Sequence, residues 1–573
     1  MGELDPDEYR ARIAGDSEES RFLARIPWIL DVGRQDPREL ARALAAEANE
    51  FADRATRFSL LTPLWQTDPG LLRETILSVR CQSYPHWELI LVDDASPRRD
   101  HLKVAREWAD RDPRIRIIEL ETNRGISGAR NVAIAHATGD FLGVLDHDDL
   151  IHPRALGLFA RWLAASPGAN LLFSNEAKID ARSRKVRDFL SKPPFDPFTL
   201  LRINTPCHLT FLRRDLLDLA ARDGEFFRSR FDGCEDHDLF LRVAVTGKVR
   251  AVHLPFFLYY WRRTASSTAA KLSAKPEVPG RRRAMLEELV PRFYPGSSFV
   301  LGETTRSLSS IKLTALEAHP RPSLLVVIEG DGARARASLG RQEHDLNLRV
   351  VGAGDWREEP GIDLLLFLDG AVELESKDAL QTMALHLLAD RGCGAVGLRL
   401  MGPDGSVRHA GFQVWPRLVG GHFACEAAAG RFDFSGEERA CLAVSSACLM
   451  TRRSTFGALG GFDSDAFPGE GRDLDFCLRA QRAGFRVDYF GTLEAAYQGP
   501  SLATSDGPAL ALLDSRHADL LEAWRFGGLR LSPRPLWTAG VVGPWGLPIR
   551  ATSPGIDRLR SRLKSWARRL RGS

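Results

Sequence analysis

Gly139-Asp140-Phe141-Leu142-Gly143-Val144-Leu145-Asp146-His147-Asp148-Asp149 carries an apolar run straight into an acidic one. Phe141 to Leu145 are mostly apolar and predict a short buried strand, which runs directly into three carboxylates within four positions. A buried strand ending in that much negative charge needs a cation to hold it. Asp146 and Asp148 are two residues apart, so an extended backbone turns them to one side, about 6–7 Å between Cα atoms. That arrangement suits one hard divalent cation, completed by water and by a ligand's phosphates. A solvated acidic turn capping the helix that starts near Pro153 is the other reading of the same residues. The neighbouring elements decide between them.

Upstream, strand-like Phe58-Ser-Leu-Leu-Thr62-Pro63 leads through a polar loop to a helix over Leu71–Gln82. A second strand, Glu88 to Val92, ends in Asp93-Asp94-Ala95-Ser96. Helix 100–111, strand Ile115–Leu120 and helix Ser127–Ala137 then lead back to the opening stretch. Strands alternating with helices of this length predict right-handed βαβ units and a parallel sheet. Ligands of such sheets bind beyond the carboxyl ends of the strands, where both acidic clusters fall. Further on, helix 153–165, a strand at Asn170–Ser174 and a Pro-rich loop, Lys192 to Pro197, precede Phe231-Asp-Gly-Cys-Glu235-Asp236-His-Asp238. There acidic residues open a helix and favour its positive end. Glu235 and Asp236 read either as helix-capping carboxylates or as a general base facing an acceptor.

At 573 residues the chain predicts two to four domains. Its 78 basic and 75 acidic side chains nearly cancel, which gives no reason to expect nucleic acid as a partner. Eight scattered cysteines without a Cys-x-x-Cys pair argue against structural zinc and against a disulfide framework. Met1 to Pro6 is acidic and lacks the apolar core of a signal peptide, and no stretch reaches the ~18 apolar residues of a membrane span. A cytoplasmic protein is expected. Residues 1–56 read as a helical extension with a packing role, its helix beginning at Pro37 and carrying Leu40, Leu44 and Ala45 on one face.

Asp93-Asp94-Ala-Ser, Asn123-Arg-Gly-Ile-Ser-Gly-Ala-Arg130-Asn131, Leu145-Asp-His-Asp-Asp149, Glu235-Asp236 and Leu258-Tyr-Tyr-Trp-Arg262 occur in that order over residues 57–270. As an ordered set they resemble the family 2 glycosyltransferases of the GT-A fold, an α/β nucleotide-diphospho-sugar transferase fold with a Rossmann-like mixed sheet. Leu171 to Asp180 and Lys192 to Pro197 resemble the bacterial branch that builds O-antigen and other surface polysaccharides, often with tandem modules. The resemblance implies a metal-dependent, inverting transfer from a nucleotide-diphosphate sugar to a glycan or lipid-linked acceptor, with Mn²⁺ or Mg²⁺. Asp146 and Asp148 then hold the metal, with Asp146 also at the ribose. Thr62, Pro63, Asp93, Asp94 and Arg130 line the donor site, and Trp261 and Arg262 lie in a loop closing over it. Asp236 becomes the base, beside Glu235. The family often carries His where Tyr260 stands, so His208 or His237 is expected to serve instead.

The second half repeats the first. Glu235-Asp236-His-Asp238-Leu-Phe-Leu241-Arg242 is echoed by Arg472-Asp473-Leu-Asp475-Phe-Cys-Leu478-Arg479, and Asp363 to Glu373 mirrors the strand leading to Asp146. Residues 321–500 therefore read as a second, degenerate GT-A-like module behind a connector, 271–320. Ala371 stands where the second metal carboxylate should be, and no Asp-Asp-x-Ser precedes Asp363. A structural or acceptor-positioning role is expected for this copy.

In the tail, 501–573, a helix fits Ala509–Trp524, and Ile556, Leu559, Leu563, Trp566 and Leu570 form one apolar stripe among seven Lys/Arg. That pattern fits a helix lying on an anionic membrane surface, which would place the enzyme peripherally on the inner face of the cytoplasmic membrane. It fits equally a helix docked on its own protein. Two other functions stay open on the residues alone: an inactive carbohydrate-binding scaffold built on two GT-A modules, and a nucleotidyltransferase on a similar sheet.

Overall fold

The computed structural model describes residues 9–526, apart from 10, 14–16, 27, 29–36, 52–55, 182–185, 191, 223, 264–276, 305–308, 319–320, 358–359, 413–434, 501 and 503–507. The basic stripe at 556–573 lies outside the described residues.

In the first module the strands are β1 (Phe58–Leu64), β2 (Trp87–Asp93), β3 (Ile115–Glu119), β4 (Phe141–Val144), β5 (Leu150–Ile151), β6 (Leu171–Asp180), β7 (Val186–Leu190), β8 (Thr210–Arg213) and β9 (Ala251–Arg263). They form one sheet in the order β3-β2-β1-β4-β8-β6-β9-β5, with β7 on β6. β3, β2, β1 and β4 are mutually parallel, as the βα alternation predicts. β8 then enters antiparallel between β4 and β6, so the sheet is mixed. Every residue of β1 and β2 is buried, because helices cover both faces of the sheet and a near-continuous apolar run is what such a strand needs.

One face is closed by helices Pro69–Arg80, Asp100–Arg111 and Ala155–Ala165 together with the N-terminal segment, whose Tyr9, Phe22, Trp28 and Leu44 join the same core. Residues before 57 are thus an integral layer of the module. Buried Arg80 fastens it, 3.0 Å from Glu19 and 2.8 Å from Asp112. Asp68 starts the first of these helices by accepting from Gly70 N and Leu71 N, with Pro69 at the first position. The other face is closed by helices Gly125–His136, Arg214–Ala220 and Glu235–Val245 and by the connector. The connector is a helix, Val278–Phe293, and an antiparallel hairpin of β10 (Ser297–Glu303) and β11 (Ser309–Leu316).

The second module has β12 (Ser323–Glu329), β13 (Asn347–Gly352), β14 (Leu364–Asp369), β15 (Val372–Leu374), β16 (Cys393–Met401), β17 (Val407–His409), β18 (Glu438–Ala440), β19 (Cys448–Arg452) and β20 (Arg486–Tyr497). Its order, β13-β12-β14-β19-β16-β20-β15, retraces β2-β1-β4-β8-β6-β9-β5 with the same parallel and antiparallel pairings. Only a counterpart of edge strand β3 is missing among the described residues, which accounts for the short first half of this copy. The final described helix is Pro508–Phe526. Among the described residues, no helix is long and apolar enough to cross a membrane.

Candidate active site

The loop after β4 is fixed from beneath. Thr75 Oγ1, on helix Pro69–Arg80, donates toward the carbonyls of His147 (2.9 Å) and Asp149 (2.8 Å). Buried Asp149 accepts from Tyr259 Oη (2.6 Å) and Arg262 N (2.7 Å), both on β9. Arg262 also donates to the carbonyl of Asp148, to Leu71 O (2.9 Å) and to Glu74 (2.7 Å). This corrects the expectation for Trp261 and Arg262. They lie in a strand, since the parallel pairing of β6 and β9 runs on to Asp180–Arg263. Arg262, 1% exposed, grips the backbone of the loop after β4 from inside the protein. Trp261 stays half-buried near the site, with its ring 5.3 Å from that of His208.

So anchored, Asp146 and Asp148 are half-buried at the strand end, while Asp149 is sealed inside. Among the described residues, no side chain donates a hydrogen bond to the Asp148 carboxylate. Burial first, and the Asp146 charge with it, raises its pKa above the ordinary carboxylate value, although His147 and Arg262 work the other way.

Arg130 joins this loop to the start of helix Glu235–Val245. Its Nη2 lies 3.2 Å from Asp146 Oδ1 and its Nη1 2.5 Å from Glu235 Oε1. Gly125, at φ +74°, opens the helix that carries Arg130, and a Cβ there would sit 2.6 Å from Asp232 Oδ2. Glu235 is buried and takes a second hydrogen bond from Gly233 N, whereas Asp236 is half-buried and reachable. Asp236 Oδ2 accepts from Asn204 Nδ2 (2.9 Å) and Cys207 Sγ (3.1 Å), and Oδ1 from His237 N (2.8 Å). Burial raises its pKa, but Arg130, the Cys207 hydrogen bond and His208 outweigh burial and hold Asp236 below its ordinary value. Burial and the charges of Asp236 and Glu176 push Cys207 well up, so it stays a thiol and a donor.

The two histidines separate cleanly. His237 is buried and its Nε2–H points at Leu200 O, 2.6 Å away, so it serves the loop and not the crevice. His208 stands at the site: Nε2 is 3.7 Å from Asp146 Oδ2, Nδ1 is 3.4 Å from Glu176, and its ring stacks on Tyr259 at 4.6 Å. Burial opposes its protonation, yet Glu176 and Asp146 raise its pKa on balance. Behind it, buried Glu176 pairs with Lys192 at 3.3 Å; burial raises that carboxyl, but Lys192 and His208 bring it down to about 2. Tyr260, where the family often has His, turns into the core against Trp28 (5.3 Å).

The remaining expected donor residues sit deeper. Thr62 and Pro63 end β1, and the buried Thr62 Oγ1 has no hydrogen-bond partner among the described residues. Asp93 is fully buried, 2.9 Å from His101 Nε2 and accepting from Ser96 N. Asp94 accepts from Arg124 N at 2.7 Å. Both therefore organise the strand-end loop. Asn204, Cys207, Glu176 and Lys192 were not singled out for chemistry by the sequence reading. The signal available was three polar residues, Asn204, Cys207 and His208, packed just before buried β8.

In the second module Asp369 ends β14 and accepts from Ala371 N (2.8 Å). Arg472 replaces Glu235 and pairs with Glu329, which sits opposite Asp369 in the sheet register. Asp473 is spent on Ser446 N (2.8 Å) and Leu474 N (2.8 Å). His386, Cys393 and Asp488 cluster deep in this module, but Asp488 gives its oxygens to Arg486 and His386.

The model of glycosyl transferase family 2 matches residues 59–216. Across both modules the chain is 31% identical to the uncharacterized protein y4gI of Sinorhizobium fredii over 78% of this chain and 53% of that protein. It is 30% identical to the O-antigen biosynthesis protein RfbC of Myxococcus xanthus, over 78% of this chain and 38% of that protein. The chain thus spans about half, and under two fifths, of these two relatives. EpsE of Bacillus subtilis, named as a glycosyltransferase, is 32% identical over 34% of this chain and 69% of its own length. The chain belongs to glycosyltransferase family 2, and its first module has the GT-A fold.

Proposed function

We propose that the first module transfers a sugar, with inversion, from a nucleotide-diphosphate sugar to a glycan or lipid-linked acceptor in surface-polysaccharide synthesis. The observation that carries this reading is Arg130, which ties Asp146 at the donor strand end to the Glu235-Asp236 pair. Two acidic groups with different tasks thereby face one crevice. Asp146 and Asp148 fit Mg²⁺ or Mn²⁺, being half-buried oxygen donors at a strand end, with no side-chain donor on Asp148 among the described residues. When bound there, such an ion would offset charge developing on the leaving diphosphate. Arg130 adds fixed positive charge on the same side, and His208 adds to it when protonated.

Asp236 is the residue placed to take the acceptor's proton. It is ionised at neutral pH, reachable, and oriented by three donors, whereas Glu235 is locked to Arg130. A hydroxyl deprotonated there attacks the anomeric carbon on the face opposite the leaving diphosphate, which inverts that centre by analogy with inverting glycoside hydrolysis. Thr62, Pro63, Asp93, Asp94 and Trp261 shape the donor side, and Arg262 acts through the loop it grips. RfbC, named for O-antigen biosynthesis, supports the assignment to surface polysaccharide.

The test is hydrolysis of UDP- and GDP-sugars by the full-length protein with Mg²⁺ or Mn²⁺. Turnover that disappears in excess chelator and returns with metal is the expected result; undiminished turnover in chelator overturns the metal assignment. No turnover and no binding of any donor would leave the scaffold reading in its place. The tail stripe supports a peripheral, inner-face membrane location, each cation near an anionic leaflet being worth about 1 kcal/mol. Deleting 556–573 should release the protein from anionic vesicles and leave donor hydrolysis unchanged; equal binding by the truncated protein favours docking on its own chain.

A further inference from the structure

The short turn that positions the base of the first module is held by the second. After the Pro-rich loop the chain makes one helical turn, Pro197–Leu200, started by Asp196, whose Oδ1 accepts from Thr199 N at 2.7 Å. Phe198 leaves its own module. At 1% exposure it lies in the core of the second, its ring 4.7 Å from His386 and 5.4 Å from Phe490. Beside it, Thr199 Oγ1 accepts from Ala440 N on β18 at 2.9 Å. Arg202 is buried and gives its Nε to Glu438, also on β18, while Nη2 reaches Ile311 O on the connector hairpin at 3.3 Å. Arg486 approaches Asp196 at 3.8 Å. In return Leu385, from helix Ala379–Ala389, joins the apolar cluster that the first module shares with the connector.

What this grip holds leads straight to Asp236. Leu200 O is the acceptor for His237, the residue next to the base. Four positions past Leu200, Asn204 donates to Asp236 Oδ2, and Cys207 donates to the same oxygen. Two of the three hydrogen bonds orienting the base therefore come from a segment whose other end is buried in the second module. The backbone of the loop that carries Asp146 and Asp148 is braced separately, by Thr75, Tyr259 and Arg262 of the first module, and the gripped segment approaches it only through His208, 3.7 Å from Asp146.

We infer that the second module is a positioning element for the acceptor half of the reaction: through Phe198, Thr199 and Arg202 it sets the geometry of Asp236, while the loop of the donor half keeps its own braces within the first module. This rests on Asp236 being the base. Inaccurate placement of one reacting group by about 1 Å costs on the order of 10²-fold in rate, so the coupling should be measurable.

The experiment uses the full-length protein with Glu438→Gln and, separately, Thr199→Val, which keeps the side chain's shape if the first variant fails to fold. Amide hydrogen exchange is read over 200–208 and 233–238, with β1 and β14 as internal references. Turnover is read as hydrolysis of UDP-glucose, UDP-N-acetylglucosamine and GDP-mannose, alongside UDP affinity. Faster exchange confined to the two test segments, with kcat down by about 10²-fold and both KM and UDP affinity unchanged, is the expected result. Unchanged exchange in folded variants overturns the inference. So does a uniform rise in exchange across both modules, or a loss of UDP affinity equal to the loss of kcat. Asp236→Asn is the parallel control: if it leaves kcat intact, the assignment of the base fails, and the inference falls with it. If Asp236→Asn lowers kcat while both grip variants keep theirs, only the inference falls.

Discussion

The two modules share a sheet order and one eight-residue motif, and they divide that motif in half. Asp238 and Arg242 in the first module match Asp475 and Arg479 in the second. In both, the arginine Nε bonds the aspartate four residues earlier, at 3.0 and 2.7 Å. In both, the same arginine reaches two carbonyls at or beyond the end of an earlier helix, Ala220 and Phe226 in one, Leu459 and Gly461 in the other. This half is a brace, and both copies keep it. The leading half differs: Glu235-Asp236 faces Arg130, Asn204 and Cys207, whereas Arg472-Asp473 is consumed by Glu329 and backbone amides. One half of a repeated motif can therefore be kept for the fold while the other half changes its partners.

That contrast can be broken most severely at the metal pair. Asp148→Ala should abolish turnover, while Asp369→Ala in the second module leaves it within about two-fold, since no partner carboxylate stands at Ala371. Steady-state donor hydrolysis at saturating Mg²⁺ or Mn²⁺ checks both; dependence on Asp369 would mean that the second crevice works. Next in size is the base. Asp236→Asn should cost the ~10²–10⁴-fold typical of a lost general base, against little change for Asp473→Asn. Were Asp473→Asn the damaging substitution, the two modules would have to exchange roles.

The smallest effect, and the one on which the modules should agree, is at the brace. Asp238→Asn removes one partner from a buried ion pair, which costs about 3–5 kcal/mol, and Asp475→Asn, whose partner Arg479 is half-buried, should cost less. Denaturant titration should find both destabilised, with residual donor affinity in whatever stays folded. Asp475 adds a pH signature. Burial works to raise its pKa, but His517, Arg479 and Arg516 bring it down to about 2 from 3.8. A depressed carboxylate stabilises the folded state above its unfolded value, and that stability drains as pH falls from near 4 toward 2. The wild type should lose stability across that window more steeply than Asp475→Asn. Parallel curves would remove the brace from the account of stability.

The first four strands and their helices were legible because β1, β2 and β4 are buried runs a few residues long, separated by amphipathic segments and ended by carboxylates. The repeat was legible for the same reason, as was His208 by its place in the motif. Side chains that act by facing inward were not. Asp149 sits in the same acidic run as Asp148, and only the folded backbone sends one to Tyr259 and leaves the other at the crevice. Arg262 is expected in a closing loop because the resemblance implies one there; β9 instead runs on to Arg263, buried along Phe256–Tyr260. Asn204 and Cys207 are 32 and 29 positions from Asp236, too far for any local pattern to pair them.

Phe198 also has a consequence in time. During synthesis its ring emerges roughly 290 residues before Phe490, and at ~5–20 residues per second that gap lasts on the order of 15–60 s. Once β9 has been made the nascent first module can complete its β-sheet, yet for the rest of that interval it displays an aromatic side chain, Thr199 and Arg202 with no second module to receive them. A ribosome-bound chain stalled before residue 438 should accordingly be a better chaperone client than one stalled after residue 500. The order of translation thus makes residues 321–500 the last piece needed to enclose Phe198.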